Sequence, residues 1–343
     1  IQGVVELRND ARLPSPTLLV TEQLPAGFTA DGHPVEGQAR FVLAALAPAR
    51  LTAARYTAVA GARGRYGIGP LQVRVRDPFG AAERVRRYTA TTDLIVYPRV
   101  DVLPESPIRG AHMGSGSSDT RRVSATGEEF YTMREYVRGD DLRHVHWAST
   151  AHRQTLMVRQ MEQPWQAHAT VYLDARVISH TPGPHGTLEK AVSLAASVVH
   201  HLAARGYVLR LMTQDSVGRG GPTPWQQAMD RLAVLAPSPT TGLGPSLAAS
   251  RGGEGLFVAV LGVSAGGGDL THHPDMRALF AVRGFGQRLA LVVTPAAEQR
   301  AARMTGLLRG AGWQAVTVQP GQAPAGPWRS VTQARARRGV VVR

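Results

Sequence analysis

The first hundred residues carry short runs in which apolar and polar residues alternate. In the run from 71 to 76, Leu71, Val73 and Val75 would lie on one face of a β-strand. Turn-forming residues separate the runs, and Asp77-Pro78-Phe79-Gly80 stands between two of them. The pattern predicts strands over residues 4–7, 17–21, 41–46, 55–60, 71–76, 84–89 and 94–97. Their spacing indicates a small β-sandwich of immunoglobulin-like type over residues 1–99.

From residue 169 onward, apolar runs alternate with segments of helical periodicity. The continuous apolar run from 169 to 174 is typical of a strand that is covered on both faces. The segment 188–204 places apolar residues at helical spacing, namely Leu188, Val192, Ala195, Val199 and Leu202. Further strands are predicted at 208–212, 256–261, 289–293 and 315–318, with helices at 225–235, 275–281 and 298–309. This alternation predicts a doubly wound, mostly parallel α/β sheet over residues 166–343.

Two segments of unlike character join these regions. Residues 100–126 contain the Gly/Ser-rich stretch from Gly114 to Asp119 and predict a flexible linker. Residues 127–165 are instead dense in charged and aromatic side chains. The candidate site residues in this signature segment are Arg134, Tyr136, Gly139, Asp140, Asp141, Arg143 and Trp147.

The signature segment resembles a known family. From Arg134 to Ala151 it follows the pattern R-E-Y-x-x-G-D-D-x-R-x-x-x-W-x-x-T-A, which is similar to the signature of the bacterial domain-of-unknown-function family 58. Residues 63–80 and 96–100 resemble segments that precede this signature in the family, so the resemblance covers most of the chain. His152 stands where such proteins more often carry Arg, which affects a local ion pair. The resemblance implies that the α/β domain is von Willebrand factor A-like.

The resemblance also implies a function. Family members are similar to the soluble parts of membrane-anchored accessory or scaffold proteins that act with a MoxR-type AAA ATPase. The implied role is non-enzymatic, in assembly or maturation of protein complexes or in envelope homeostasis. No cofactor is expected, and the implied partners are the ATPase and other membrane or envelope proteins.

Two hypotheses describe the signature segment. As a docking surface, it would present Tyr136 and Trp147 as anchors, because aromatic residues and arginine are enriched at interface hot spots. As a structural brace, it would bond Asp140 and Asp141 to backbone N–H groups of the turn at Gly139 and to nearby arginines. Trp147 would then pack on the α/β domain. The brace is the favoured interpretation, since partly buried charges are usually paired.

Charge and composition widen the list of partners without deciding among them. The formal net charge is +14, which raises nucleic acid or an anionic membrane surface as a partner. Lys190 is the only lysine among 39 basic residues, a skew typical of GC-rich coding. No apolar run reaches the roughly 20 residues of a membrane-spanning helix. The family that the chain resembles usually has membrane helices ahead of this point, so the resemblance implies an anchor upstream of Ile1. The positive charge favours the cytoplasmic side of the membrane. No specific nucleic acid is expected, because the arginines are dispersed along the chain rather than clustered. A basic nucleic-acid-binding protein stays open as an alternative.

The von Willebrand factor A fold binds a divalent cation through a D-x-S-x-S loop, because hard cations prefer oxygen ligands. Asp174 occupies the first position of such a loop, but Arg176 and Ile178 occupy the next two. Ser179 is out of step, and Asp215 could only be an outer ligand. We therefore expect a degenerate site, while a metal-dependent adhesion module stays open as an alternative function.

Other candidate chemistry is weak. The stretch from Gly262 to Gly266 reads G-V-S-A-G, which matches a nucleophile elbow around Ser264, but only His272 and His273 follow it. The chain has no cysteine, and no histidine spacing predicts zinc binding. The pairs His144 with His146 and His200 with His201 are predicted to be ordinary polar residues. A phosphate-binding loop is absent from the sequence, which disfavours nucleotide hydrolysis.

Overall fold

The structure is a computed structural model. It describes residues 1–31, 36–77, 79, 81–105, 131–137, 140–161, 167–216, 221–250, 253–264, 268–296 and 298–333. The described residues form an antiparallel β region, a small segment of mixed structure and a parallel α/β domain. None of the helices in these ranges is sufficiently long and apolar to span a lipid bilayer.

The N-terminal region consists of antiparallel sheets. Its strands are β1 Gln2–Arg8, β2 Leu18–Gln23, β3 Phe28–Ala30, β4 Gln38–Leu43, β5 Leu51–Ala60, β6 Gly64–Ile68, β7 Leu71–Arg76, β8 Glu83–Tyr88 and β9 Thr92–Val96. One sheet has the order β1-β5-β3, a second the order β4-β2-β7-β8, and β6 pairs with β9. The first two sheets share one buried cluster, with Val5, Phe28 and Tyr56 from one sheet and Val20 and Val73 from the other. The predicted β-sandwich architecture is therefore compatible with the fold.

Seven of the nine strands correspond to predicted runs, and two do not. β3 is only three residues long, so it is too short to show a period. β6 has the sequence GRYGI, and its two glycines interrupt the alternation of apolar and polar residues that predicts a strand. Residues 32–35, 78 and 80 lie outside the described residues, so the predicted turn is seen only in part.

The signature segment forms a separate small unit. Strand β10 Tyr131–Glu135 pairs antiparallel with β11 Met157–Met161, and helix α1 Trp147–Arg153 lies between them. A 3₁₀ turn at Leu142–His144 precedes the helix. Val145, Met157 and Val158 are buried, yet they belong to neither domain's main hydrophobic cluster.

The α/β domain has five parallel strands. These are β12 His168–Leu173, β13 Val208–Met212, β14 Leu256–Leu261, β15 Gln287–Val293 and β16 Gln314–Val318. Their order is β13-β12-β14-β15-β16. The helices are α2 Thr187–Ala203, α3 Trp225–Ala233, α4 Gly244–Ala248, α5 Pro274–Phe280, α6 Gln299–Gly310 and α7 Ala325–Gln333. The prediction of a mostly parallel α/β domain is confirmed.

Both faces of the parallel sheet are buried. One face packs on α2, whose predicted apolar residues Val192, Ala195 and Leu202 are fully covered. The other face packs on α5 and α6 around Phe257 and Trp313. Because β12 pairs with strands on both sides, the chain reverses its winding between β12 and β14. Ligands of open α/β sheets bind at this kind of switch point, beyond the carboxyl ends of the strands.

The β region is attached to the α/β domain by an extended strap. The Asp101 backbone N–H donates to Ser197 Oγ at 2.9 Å, and Ser193 Oγ donates to the carbonyl of Arg99 at 2.8 Å. Leu103 is buried in the core that faces α2. The predicted flexible linker is thus wrong for residues 100–105, because apolar contact and hydrogen bonds fix them along α2. Residues 106–126 of that linker lie outside the described residues.

Arg63 joins the two domains at a second place. Its Nε donates to the carbonyl of Leu232 at 2.9 Å and its Nη2 to the carbonyl of Leu235 at 2.7 Å. Its guanidinium also forms an ion pair with Glu189. Since the carbonyls at the end of helix α3 have no partner within the helix, the cation satisfies them and complements the helix dipole.

Candidate functional site

The signature segment is held together by backbone and threonine bonds rather than by a large core. The Met157 backbone N–H donates to Thr150 Oγ1 at 3.0 Å, and Thr150 Oγ1 donates to the carbonyl of His146 at 3.0 Å. His146 begins helix α1, and its Nδ1 accepts the Ser149 backbone N–H at 3.2 Å. Gln154 ends the helix in the left-handed region at φ 56°. These contacts dock α1 onto β11.

The two adjacent aspartates of the signature accept hydrogen bonds from the backbone of neighbouring turns. Asp140 Oδ2 accepts the backbone N–H of Val137 at 2.9 Å. Asp141 Oδ1 accepts the backbone N–H of Arg143 at 2.9 Å and caps the 3₁₀ turn. The expected bonding of both carboxylates to backbone N–H groups is therefore present. Gly139, on which that prediction centred, lies outside the described residues.

Trp147 does not pack on the α/β domain. Its side chain is 69% exposed, and helix α1 contains no buried residue. This part of the brace hypothesis is wrong, because α1 contacts strand β11 through Thr150 and its cap residue His146, while the indole faces solvent. Val137 and Leu142 are also exposed apolar residues of the same segment. We call the exposed side chains of Val137, Leu142 and Trp147 the signature face.

The other signature residues are less informative. Tyr136 is half-buried, and its backbone N–H donates to the carbonyl of Leu156 at 2.8 Å. Arg143 is exposed. Arg134 lies on β10, opposite Val158. The roles of these residues in partner binding stay predictions.

The second candidate site lies at the carboxyl end of β12, at the switch point of the sheet. Asp174 is fully buried, and Arg176, two residues later, is only 2% exposed. Arg176 Nε donates to Asp174 Oδ1 at 2.9 Å and its Nη2 donates to Asp174 Oδ2 at 2.9 Å. Its Nη1 donates to Asp275 Oδ2 at 2.7 Å. One guanidinium therefore joins two buried carboxylates.

The remaining polar atoms around this buried cluster also have partners. Gln214 Nε2 donates to Asp174 Oδ1 at 3.0 Å, and Asp275 Oδ1 accepts the backbone N–H of Leu243 at 2.9 Å. Burial opposes the charged form of Arg176, but the bonds to both aspartates outweigh it and raise the pKa of the guanidinium. The cluster is a paired, hydrogen-bonded set, which is the condition for burying charge at tolerable cost.

The residues of this loop do not fit a divalent cation. The Arg176 guanidinium bonds both oxygens of Asp174 and one oxygen of Asp275, so a positive charge of the chain itself fills the space between the carboxylates. Ile178 offers no donor atom and is exposed. Within the described ranges, no group of three or more histidine, aspartate or glutamate side chains could hold a metal. Asp174 is thus a structural carboxylate.

The other candidate residues are used for structure. His273 Nδ1 accepts the backbone N–H of Asp275 at 3.3 Å and caps α5. His272 is exposed and lies beside Asp269, with 3.4 Å between Nδ1 and Oδ2. The carbonyl of Ser264 accepts from Arg300 Nε at 3.0 Å, and residues 265–267 of the G-V-S-A-G stretch lie outside the described residues.

His201 departs from the prediction of an ordinary polar histidine. It is buried against Trp328, and the two ring centroids are 5.3 Å apart. Arg205 Nη1 lies 2.9 Å from His201 Nδ1. Burial, and then the charge of Arg205, lower the pKa of His201 to about 4. The residue is a neutral core histidine at physiological pH.

Comparison with known families supports the resemblance in the signature. Residues 132–228 match the model of the family described as protein of unknown function DUF58. The chain carries a DUF58 region. That region extends from β10 to α3, so it includes the signature segment and the buried cluster at Asp174 and Arg176, but only part of the α/β domain. No curated protein matches the chain.

Two partners in the buried cluster could not be found from the sequence. Gln214 follows β13, and Asp275 begins α5, which is 99 residues away from Arg176 along the chain. Neither stands in a motif. Only the strand order, which brings the ends of β12, β13 and β14 together, places them near Asp174.

Proposed function

We propose that this chain is the non-enzymatic part, outside the membrane, of a membrane-anchored accessory protein that acts with a MoxR-type AAA ATPase. The ATPase would bind the signature face, and the α/β domain would be von Willebrand factor A-like. The role would be in assembly or maturation of protein complexes or in envelope homeostasis, on the cytoplasmic side of the membrane. The observation that carries the proposal is the exposure of Trp147 within the DUF58 region.

The signature face suits protein binding for a physical reason. Trp and other aromatic residues at the centre of an interface carry much of its binding energy, and Trp147 offers a large surface that the chain itself leaves uncovered. Helix α1 gains little from burial, so the hydrogen bonds at His146, Ser149 and Thr150 keep it in place instead. A rigid platform lowers the entropy lost on binding.

The buried cluster supports a role that needs no metal. A metal-dependent adhesion module coordinates its ligand through a cation that is open to solvent. Here the charge between Asp174 and Asp275 belongs to Arg176, which is buried and has no exposed face to offer a ligand. This observation disfavours the adhesion alternative.

The nucleic-acid alternative is weakened by the use of arginine inside the fold. Several arginines bond backbone carbonyls rather than face solvent. Arg288 donates to the carbonyls of Val282 and Ala311, and Arg63 donates to the carbonyls of Leu232 and Leu235. A net charge of +14 therefore overstates the charge that a phosphate backbone could contact.

The proposal is tested by capture of the ATPase from cells that express the full-length membrane protein. We expect an AAA ATPase to co-purify with the wild type and to fall at least about tenfold with Trp147→Ala, because the loss of an anchor of this kind costs 2 kcal/mol or more. Trp225→Ala is the matched control, since Trp225 is also an exposed tryptophan but lies on α3.

Two outcomes contradict the proposal. If the ATPase co-purifies equally with both variants, the signature face is not the binding site. If no ATPase co-purifies with the wild type, the accessory role itself loses its support. Tyr136→Ala tests whether the half-buried neighbour extends the binding site or only supports the hairpin.

A further inference from the structure

One end of the β-sandwich is built from three loops that meet far from the α/β domain. The register pairs Leu18 with both Leu43 and Val75, and pairs Val75 with Arg84. The start of β2, the end of β4 and the turn between β7 and β8 therefore lie at the same end of their sheet. Arg63 and the strap contact the α/β domain from the opposite end. We call the end formed by residues 9–17, 44–50, 77, 79, 81 and 82 the distal pole.

The loops of the distal pole are held in place by side-chain bonds. Asn9 Nδ2 donates to the carbonyl of Leu13 at 2.9 Å and to the carbonyl of Leu46 at 2.8 Å, so it joins two of the loops. In the third loop, Asp77 Oδ1 accepts the backbone N–H of Phe79 at 2.8 Å and that of Ala81 at 3.1 Å. Asn9 thus bonds the backbone of the loop that carries Leu13, and the Asp77 carboxylate bonds the backbone of Phe79 itself.

Two of these tips carry large apolar side chains. Phe79 is 94% exposed and Leu13 is 75% exposed. A single exposed apolar residue on a protein surface needs no explanation. Here two of the most exposed apolar side chains in the described residues stand at the same end of the sandwich. Neither side chain is needed for the sandwich core, which is formed elsewhere by residues such as Phe28 and Val20.

Three arginines surround these tips without a carboxylate partner. Arg12 follows β1, Arg50 precedes β5 and Arg84 belongs to β8, and all three are exposed. In the described part of the chain, no carboxylate lies within ion-pair distance of any of them. Other arginines of this pole do pair, as Arg8 does with Asp10. The pole thus combines apolar tips with unpaired positive charge.

We propose that the distal pole binds the surface of a bilayer rich in anionic phospholipid, with Phe79 and Leu13 inserted among the headgroups. Aromatic side chains favour the interface between headgroups and acyl chains, and arginine is attracted to anionic headgroups there. A single-stranded nucleic acid would instead require a row of aromatic side chains along a basic groove. Here one aromatic and one aliphatic residue stand at separate loop tips. This inference goes beyond the proposed function, because it requires neither the ATPase nor the signature face.

The first test is co-sedimentation of the 343-residue chain with large vesicles of phosphatidylglycerol and phosphatidylcholine. We expect binding that is lost with vesicles of phosphatidylcholine alone and weakened at high salt. Phe79→Ala should lower the partition coefficient about tenfold, because the variant no longer buries a large apolar side chain in the interface. Reversal of Arg12, Arg50 and Arg84 to Glu should lower it more than about 100-fold, since three attractive charges become repulsive.

The matched control reverses three exposed arginines elsewhere, namely Arg55, Arg283 and Arg329. It changes the net charge equally and should leave most of the binding intact. Equal losses in both triple variants would show that binding depends on net charge and not on the pole. Wild-type binding that is absent, or unaffected by Phe79→Ala, would also overturn the proposal. So would binding of a single-stranded oligonucleotide that depends on the pole residues while vesicle binding does not.

A second measurement is possible because the chain has no cysteine. A single Phe79→Cys variant carries one environment-sensitive fluorophore at the distal pole, and Thr91→Cys carries it at the opposite end of the sandwich. Anionic vesicles should shift the emission of the label at position 79 to the blue and leave that at position 91 unchanged. The opposite result would mean that another surface faces the bilayer.

Discussion

The buried cluster and the signature segment use charged residues in opposite ways. In the cluster, Asp174, Arg176 and Asp275 are removed from water and satisfy one another. In the signature, Asp140 and Asp141 bond the backbone of short turns, while the neighbouring Trp147 faces solvent. The conspicuous motif is thus the less buried of the two. A dense run of charged residues indicates a segment of special conformation, whereas the buried cluster is completed by Asp275, which lies 99 residues from Arg176 along the chain.

The variant Arg176→Met tests whether the buried cluster contributes more to stability than the signature segment does, and it has the largest expected effect. The variant leaves two buried carboxylates without their cation, so we expect the free energy of unfolding to fall by about 3–5 kcal/mol. Urea denaturation followed by circular dichroism measures this. Arg277→Met is the control, because Arg277 is exposed on α5 and its loss should change stability by less than about 0.5 kcal/mol. Equal stability of the two variants would mean that the cluster contributes little.

Arg63→Ala tests whether the contact between the domains contributes to stability as strongly as the buried cluster or as weakly as the signature segment. The variant loses bonds to the carbonyls of Leu232 and Leu235 and an ion pair with Glu189, so we expect a loss of about 2 kcal/mol. Arg65→Ala, two residues away, removes only an exposed pair with Asp93 and should cost much less than Arg63→Ala. Thermal unfolding compares the two. A larger effect of Arg65→Ala would contradict the importance of this contact.

His201 shows how the burial of an ionisable group makes stability depend on pH. The unfolded histidine takes up a proton near pH 6.5, but the folded one does so only near pH 4, because burial and Arg205 disfavour the charged form. The unfolded state therefore binds more protons between these values, and stability should fall by about 2 kcal/mol as the pH drops from 6.5 to 4. Glu105, which pairs with Arg205, reduces the effect slightly.

The measurement is the free energy of unfolding as a function of pH for the wild type and for His201→Gln. In this variant, the fall in the free energy of unfolding between pH 6.5 and pH 4 that comes from His201 should be absent. His152→Gln, which changes an exposed histidine of the signature, should keep it. A slope that is the same in all three proteins would assign the pH dependence to other groups.

The smallest expected effects separate bracing from docking within the signature. Asp140→Ala should cost about 1 kcal/mol, because the Val137 N–H loses its acceptor. Trp147→Ala should change the melting temperature little, since the indole is largely exposed already. Differential scanning fluorimetry compares the two variants. A strong destabilisation by Trp147→Ala would place the indole in a contact and remove the reason for treating it as a binding anchor.

Much of the fold follows from periodicity alone. β13 and β14 begin and end where the apolar runs do, because strands buried on both faces leave little room for polar residues. Helix α4 was not predicted, since five residues show no helical period. Helix α7 was also missed, and its Gly326 and Pro327 oppose a helical assignment. The strap over residues 100–105 reads as a linker because its stability comes from contact with α2.

The candidate sites were predictable only where bonding is local. Asp140 and Asp141 accept bonds from backbone groups two or three residues away, so the local sequence is enough to predict the turns. The outcome for Trp147 depends on the orientation of α1, which the sequence does not specify. The Asp174 loop was predicted to be degenerate because Arg176 and Ile178 occupy two ligand positions. The sequence does not show that Arg176 also pairs with Asp275, which comes from a distant helix.

The guanidinium at Asp174 also has a consequence for how such a site can be regulated. A dissociable ion occupies its ligands in proportion to its concentration, so a chelator or a change of compartment can empty the site. Arg176 is linked to Asp174 through the backbone of a single intervening residue, and its effective concentration is set by chain geometry rather than by the surroundings. The loop at the switch point of the sheet is therefore held in one state wherever the chain is folded, and only unfolding releases it.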